Sequence, residues 1–249
     1  MVECRVLGRG RSLVSTGRSP LREAKSLEWC GPHERPVIAL LPGSRLGEIE
    51  RHLAKMLEAT KGFDADIVIP AANQKVRAAI ERICGAVRDG TRPLPSGESG
   101  LRIVDGMARE VLSRATCAVV ASGTATLEAA LARCPTVLVY DIGRLTGFIA
   151  RRLIKGIHYV GLANIVWEKC AGKGKPPMPE LLQEAFTPAA VRNYLERWLN
   201  DPAAREETIA RLDAAMGLLL SDGSAIDRIC DIICAKFSNN QPPQGENKK

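Results

Sequence analysis

Val37-Ile38-Ala39-Leu40-Leu41 is an unbroken apolar run, and Pro42-Gly43-Ser44-Arg45 follows it directly. Such a run fits a strand buried on both faces. Pro42-Gly43 signals a turn. Beyond it Ile49, Leu53, Met56 and Leu57 recur at i, i+4, i+7 and i+8, which is one face of a helix from about 46 to 60. The order is therefore strand, tight glycine turn, helix. A strand with no polar face needs cover on both sides, which confines the chain to layered α/β folds.

The head of a helix carries N–H groups without internal partners and a partial positive charge. A phosphate fits there. Gly43 lets an anion approach the backbone, and Ser44 offers a hydroxyl and a candidate N-cap. Arg45 offers a fork of donors suited to a pyrophosphate. The same four residues also suit an ordinary strand-to-helix turn with a solvent-facing arginine. No Gly-Lys-Ser/Thr follows, so this is not a Walker loop, and the Gly-x-Gly-x-x-Gly dinucleotide turn is missing too.

Taken in order, residues 1–35 are rich in Arg, Gly and Ser without periodicity and are read as a poorly ordered basic segment or remnant. Further strands are expected at Asp66–Pro70, Leu101–Val104, Cys117–Ala121 and Pro135–Tyr140. Helices are expected at Asn73–Cys84, Met107–Arg114 and Thr124–Arg133, the last burying Leu127, Ala130, Leu131 and Cys134. Residues 89–100 form a loop. Strands alternating with helices imply a parallel sheet, right-handed crossovers and helices on both faces. Ligands in such sheets sit at the carboxyl ends of strands, near a topological switch point.

Residues 141–156 differ. Arg144, Arg151, Arg152 and Lys155 share one side of a helical pattern, with Leu145, Phe148, Ile149 and Leu153 beside them. A basic amphipathic helix of this kind suits a membrane surface or an acidic lipid, and it equally suits a solvated face over a core stripe. Tyr159–Ile165 reads as a short strand ending in a loop, Cys170–Pro179 as a Gly/Lys/Pro loop, and Pro179–Glu184 as a short helical turn. Thr187-Pro188 and Asp201-Pro202 each start a helix. Ser224 caps a last helix, and residues 238–249 form a polar, disordered tail. The organisation read from the sequence is thus a Rossmann-like domain over 36–237, with C-terminal helices, between two unstructured ends.

Ala121-Ser122-Gly123-Thr124-Ala125-Thr126-Leu127-Glu128 makes a second strand–turn–helix junction. Ser122, Thr124 and Thr126 can turn hydroxyls or backbone N–H groups toward a ligand, and Gly123 permits close approach. Glu128 can complement the helix dipole or accept from ribose hydroxyls. Two anion-friendly turns on neighbouring parallel strands suggest a nucleoside diphosphate.

Composition narrows the classes. Of the net charge of +7, +3 lies in residues 1–35 and +2 in residues 236–249, so the middle of the chain is nearly neutral. Aromatic residues make up only 4%, which argues against stacking on nucleic acid. The eight cysteines form no Cys-x-x-Cys pair, and nothing completes a metal site around Cys230 and Cys234. Cys117 and Cys134 read as small core hydrophobes, and unpaired cysteines favour a reducing compartment. No run approaches the about 20 apolar residues of a membrane span, and no secretory signal pattern opens the sequence.

Leu41–Arg45 with Glu48, Ala121–Glu128, Tyr159–Ile165 with Asn164, and Pro179–Glu184 together resemble lipid-A-disaccharide synthase, over about Pro36 to Ala235. The resemblance implies the C-terminal, UDP-binding half of an inverting, metal-free glycosyltransferase with two Rossmann domains. It implies transfer of a diacylated glucosamine from UDP onto a diacylglucosamine 1-phosphate, giving a β-1,6 disaccharide, the lipid A precursor. By resemblance Arg45 meets the pyrophosphate, and Ser122, Gly123, Thr124 and Thr126 line phosphate and ribose. Asn164, Glu180, Gln183 and Glu184 complete the nucleotide pocket. Arg144, Phe148, Arg151, Arg152 and Lys155 become candidates for lipid contact at the cytoplasmic side of the inner membrane.

The family's N-terminal domain, which supplies acceptor contacts and the base, is not matched by residues 1–35. The chain therefore reads as the donor half of an enzyme that is either truncated or split, a separate chain supplying that domain being the candidate partner in the second case. Ala163 stands where the family has proline. Glu48, His52 and His158 are candidate bases by type only. Other readings are a related UDP-sugar enzyme such as a 2-epimerase, or a non-catalytic nucleotide-binding module.

Overall fold

The computed structural model describes residues 35–88, 100–121, 123–141, 159–170 and 175–220. The strands are β1 (Val37–Leu41), β2 (Asp66–Ala71), β3 (Arg102–Asp105), β4 (Cys117–Ala121), β5 (Thr136–Tyr140) and β6 (Glu180–Leu182). The helices are α1 (Leu46–Ala59), α2 (Gln74–Arg88), α3 (Ala108–Arg114), α4 (Thr124–Leu131), α5 (Leu162–Cys170), α6 (Pro188–Asn200) and α7 (Pro202–Leu220).

All described strands pair in parallel in one sheet of order β3-β2-β1-β4-β5-β6. The chain winds outward from β1 to β3, then returns to lay β4 beside β1 and winds the other way. This is the doubly wound, Rossmann-like α/β arrangement, and its switch point lies between β1 and β4. Ile38 pairs with Cys117 and Leu41 with Val120, which brings the turns after β1 and β4 to the same edge.

Burial follows the apolar patterning. β1 and β4 are buried at every position, as strands covered on both faces must be. One core joins Ile38 and Leu40 of β1 and Val119 of β4 to Ile49, Leu53, Met56 and Leu57 of α1, Ile80 of α2, and Leu195 and Trp198 of α6. α1 packs against α2 and α6. On the other side α4 packs against α3, α5 and α7. Thr187 caps α6 by accepting the N–H of Ala190, with Pro188 in the first turn. The Asp201 carboxylate accepts from Ala204 at the head of α7. Both starts follow from proline's fixed φ and its missing donor.

Three expectations are corrected. The segment from Tyr159 is no strand: Gly161 precedes α5, which starts at Leu162. A Cβ on Gly161 would lie 2.7 Å from Leu138 Cδ1, so a larger residue there would force that side chain to shift where the head of α5 closes on β5. The segment from Pro179 is not a helical turn at its start but the edge strand β6, followed by a 3-10 turn at Gln183–Ala185. Leu131 is 56% exposed, because α4 ends there and the chain turns away at Arg133, whose φ is +57°.

The sequence-based readings of residues 1–34, 89–99, 142–158 and 221–249 lie outside the described residues. These include the basic helix, with Arg144, Phe148, Arg151, Arg152 and Lys155, the last helix and the polar tail.

Cys117 and Cys134 are fully enclosed. Burial pushes the Cys117 thiol well above its ordinary value and the Cys134 thiol up to about 12. The thiolate is the reactive form. Peptide mapping after alkylation at pH 8 is therefore expected to find both unmodified in the native chain and both modified in denaturant. Labelling of either at native rates typical of a free thiol would contradict this packing.

Candidate functional site

At the carboxyl ends of β1, β2 and β4 lies a cleft of about 590 Å³. Gly43, Ser44, Arg45 and Glu48 form the α1 side, and Gly123, Thr124 and Ala125 the α4 side. Pro70, Ala71, Ala72, Gly106 and Ala108, from the ends of β2 and β3, form a wall of small residues. The two turns singled out in the sequence thus share one cavity. The third wall was missed in the residues themselves, although the position of β2 and β3 beyond β1 implies it once the strand order is known.

The two turns are not equivalent. At α1 the N-cap is Arg45 rather than Ser44. The Glu48 carboxylate reaches back: Oε2 accepts the N–H groups of Ser44 at 3.2 Å and Arg45 at 3.3 Å, and Oε1 accepts from Arg45 Nη1 at 3.2 Å. The anion position at this helix head is therefore filled by the protein's own carboxylate, in the manner of a capping box. Gly43, at φ +115°, serves that contact, since a Cβ there would lie 2.5 Å from Glu48 Oε2. The close approach that Gly43 permits is made in this structure by Glu48, and Gly43 also lines the cleft.

The α4 turn is open. Its first turn holds no acidic residue, and a Cβ on Gly123, at φ +144°, would meet nothing within 4 Å. Thr124 lines the cleft, whereas Thr126 is buried and donates its hydroxyl to Gly123 O at 2.7 Å. Glu128 lies farther along α4, with Arg109 Nε at 3.9 Å, and does not line the cleft. Ser122 lies outside the described residues.

Asn164, Glu180, Gln183 and Glu184 sit apart from the cleft lining. Asn164 is fully buried, donating to Met178 O at 2.7 Å and to Glu180 Oε1 at 2.8 Å and accepting from Met178 N at 3.0 Å. Glu180 also accepts from the N–H groups of Val160 and Gly161, both at 2.9 Å. These bonds latch the head of α5 to β6. Gln183, at φ +54°, and Glu184 follow the carboxyl end of β6, on the cleft side of the sheet but two strands beyond β4.

His52 is buried where β1 and β5 end. Its Nδ1–H donates to Pro42 O at 3.0 Å, and its Nε2 accepts from Asp141 N at 3.0 Å. Arg51 and Lys55, from the same helix, also bind Asp141, through its backbone O and Oδ2. Burial lowers the His52 pKa from 6.5, against the raising effect of its hydrogen bonds to Pro42 and Asp141. The neutral ring thus braces the turn that carries Arg45, and a catalytic base is not what its surroundings suggest.

Residues 15–213 match the family described as lipid-A-disaccharide synthetase. The chain belongs to that family. The match begins well ahead of Pro36, where the motif resemblance starts. A lipid-A-disaccharide synthase from Anaeromyxobacter dehalogenans is 39% identical over 200 residues, covering 78% of this chain and 48% of that protein. One from Thiobacillus denitrificans is 38% identical over 189 residues, covering 74% and 46%. The chain thus spans about half the length of the curated relatives it matches. Among solved structures, glycosyltransferase VinC in complex with DTDP aligns at 24% identity and a TM-score of 0.41, covering 76% of this chain and 40% of that one. Among the described residues, no helix is long and apolar enough to cross a membrane, and no three His, Cys, Asp or Glu are grouped to hold a metal.

The lowered pKa of His52 has a signed consequence. The unfolded chain takes up a proton near pH 6.5 while the native ring resists it, so stability is full above that value and falls as pH drops through it. Melting temperatures from pH 7.5 to 5.5 should decline in this member of the lipid-A-disaccharide synthetase family, and the decline should be shallower in His52→Gln. An equal slope in both proteins would remove His52 from the account.

Proposed function

We propose that this chain is the donor-binding half of a lipid-A-disaccharide synthase. The donor is a UDP-linked diacylated glucosamine and the acceptor a diacylglucosamine 1-phosphate. The acceptor hydroxyl attacks the anomeric carbon, the bond to UDP breaks, and a base takes the hydroxyl proton. A β-1,6 disaccharide and UDP result. We assign acceptor contacts and that base to the half of the relatives' length that this chain does not span, supplied by a longer protein or a separate chain.

The observation that carries the reading is the shared cleft at the β1–β4 switch point, with one open helix head and one exposed arginine facing the same space. The diphosphate takes the Gly123–Ala125 turn, where backbone N–H groups and the dipole favour an anion. Arg45 neutralises it from the α1 side. Asn164 and Glu180 act on the nucleoside by fixing the start of α5 against β6, and Gln183 and Glu184 meet it from the carboxyl end of β6. Thr126 braces the α4 turn through Gly123 O, and Ser122 and Glu128 complete the phosphate and ribose side. The basic pattern at Arg144, Arg151, Arg152 and Lys155, with Phe148, suits acylated, phosphorylated substrates at the cytoplasmic face of the inner membrane.

Titration calorimetry with UDP tests this. Saturable binding is expected, with Arg45→Ala weakening it about tenfold or more, the scale of one or two charge-assisted hydrogen bonds. The chain alone should form no disaccharide. Absence of UDP binding, or Arg45→Ala binding as tightly as the native chain, would refute the assignment.

A further inference from the structure

Glu48 lines the proposed diphosphate cleft, yet its side chain is only 10% exposed and its oxygens are engaged by the protein itself. Ser44 N–H, Arg45 N–H and Arg45 Nη1 all donate to it. Gly43 lies so close that a Cβ would fall 2.8 Å from the Glu48 Cβ as well. One carboxylate therefore anchors the whole turn between β1 and α1. His52 holds the other end of that turn through Pro42 O.

The Arg45 side chain is 81% exposed, so without this carboxylate nothing among the described contacts confines it. Glu48 takes one donor of the guanidinium, at Nη1, and leaves the others for a second oxygen anion. A long side chain held in place before its ligand arrives loses less freedom on binding.

A buried carboxylate beside an anion site would ordinarily be a liability. If Glu48 were a bystander, its negative charge would oppose a diphosphate, and neutralising it would tighten binding. The hydrogen-bond pattern argues for the opposite sign. We propose that Glu48 is a positioning residue of the donor site: it fixes the Pro42–Arg45 turn and holds the Arg45 guanidinium toward the α4 turn, so diphosphate affinity depends on a carboxylate that touches no phosphate. This rests on the donor-binding reading above.

The test uses the full chain and UDP as the probe, by calorimetry, on the native protein, Glu48→Gln, Arg45→Ala and the double variant. Glu48→Gln keeps the shape but turns an N–H donor toward one set of N–H donors. It is expected to weaken UDP about tenfold even though it removes a negative charge from the cleft. In the Arg45→Ala background the same substitution should no longer weaken binding, because the group it positions is gone.

Melting temperatures taken alongside separate this from a fold effect, which would cost stability equally in both backgrounds and leave affinity alone. If Glu48→Gln does not fold, Glu48→Asp replaces it: the charge stays, the carboxylate retreats, and weaker UDP binding is still expected. Native binding with Glu48→Gln binding equally or more tightly, or an additive loss in the double variant, overturns the positioning role alone. A native chain that binds no UDP overturns the donor reading and this inference together.

Discussion

The pairing of β4 with β1 is the contact on which the site depends. These strands are far apart in sequence, and β2 and β3 intervene between them. Only the return of the chain to the inner edge of β1 sets Leu41 beside Val120. Each strand then ends in a glycine turn, and the register leaves the two turns facing one another across the cleft. A shift of one residue would exchange the faces of β4 and move Gly123 away from Arg45. Both strands are buried at every position, so layers packed on the two faces of the sheet enclose the pair that carries the turns.

Helix heads in this fold are treated in two ways. α1 meets its own Glu48, and the head of α5 meets Glu180, so the N–H groups there are satisfied by carboxylates from within the chain. α4 has no acid in its first turn and opens on the cleft with Gly123 at its cap. An incoming anion finds partial positive charge left uncompensated at α4, not at α1. In the proposed donor site that asymmetry gives two turns of similar composition different tasks: the α4 turn offers its backbone and the α1 turn presents a side chain.

The sheet was legible because its signals are local and strong. Val37–Leu41 and Cys117–Ala121 are apolar throughout, and α1 carries a clear period of 3.6, whereas the face read for α4 is corrected at the exposed Leu131. β6 was not legible. It is three residues long and is a strand only because β5 lies beside it, while Gln183–Ala185 next to it carries a helical signal that is real but belongs to a 3-10 turn. The start of α5 was hidden for a similar reason. Gly161 and Asn164 look like turn residues until Glu180 and Met178, distant in sequence, are placed against them. In the site, Gly43 and Arg45 stood out by type, but the service of Gly43 to Glu48 depends on a side-chain rotamer that no spacing rule supplies. The wall formed by Pro70, Ala71, Ala72, Gly106 and Ala108 has no motif at all, since it is made by strand order and small size.

The central claim is that two glycine turns hold one diphosphate between them. A crystal structure of the chain grown with UDP tests it most directly. The account expects the phosphate oxygens within hydrogen-bond distance of backbone N–H groups in the Gly123–Ala125 turn, with the Arg45 guanidinium against them and Glu48 still bound to Ser44 and Arg45. UDP bound elsewhere on the sheet, with this cleft vacant, would contradict it.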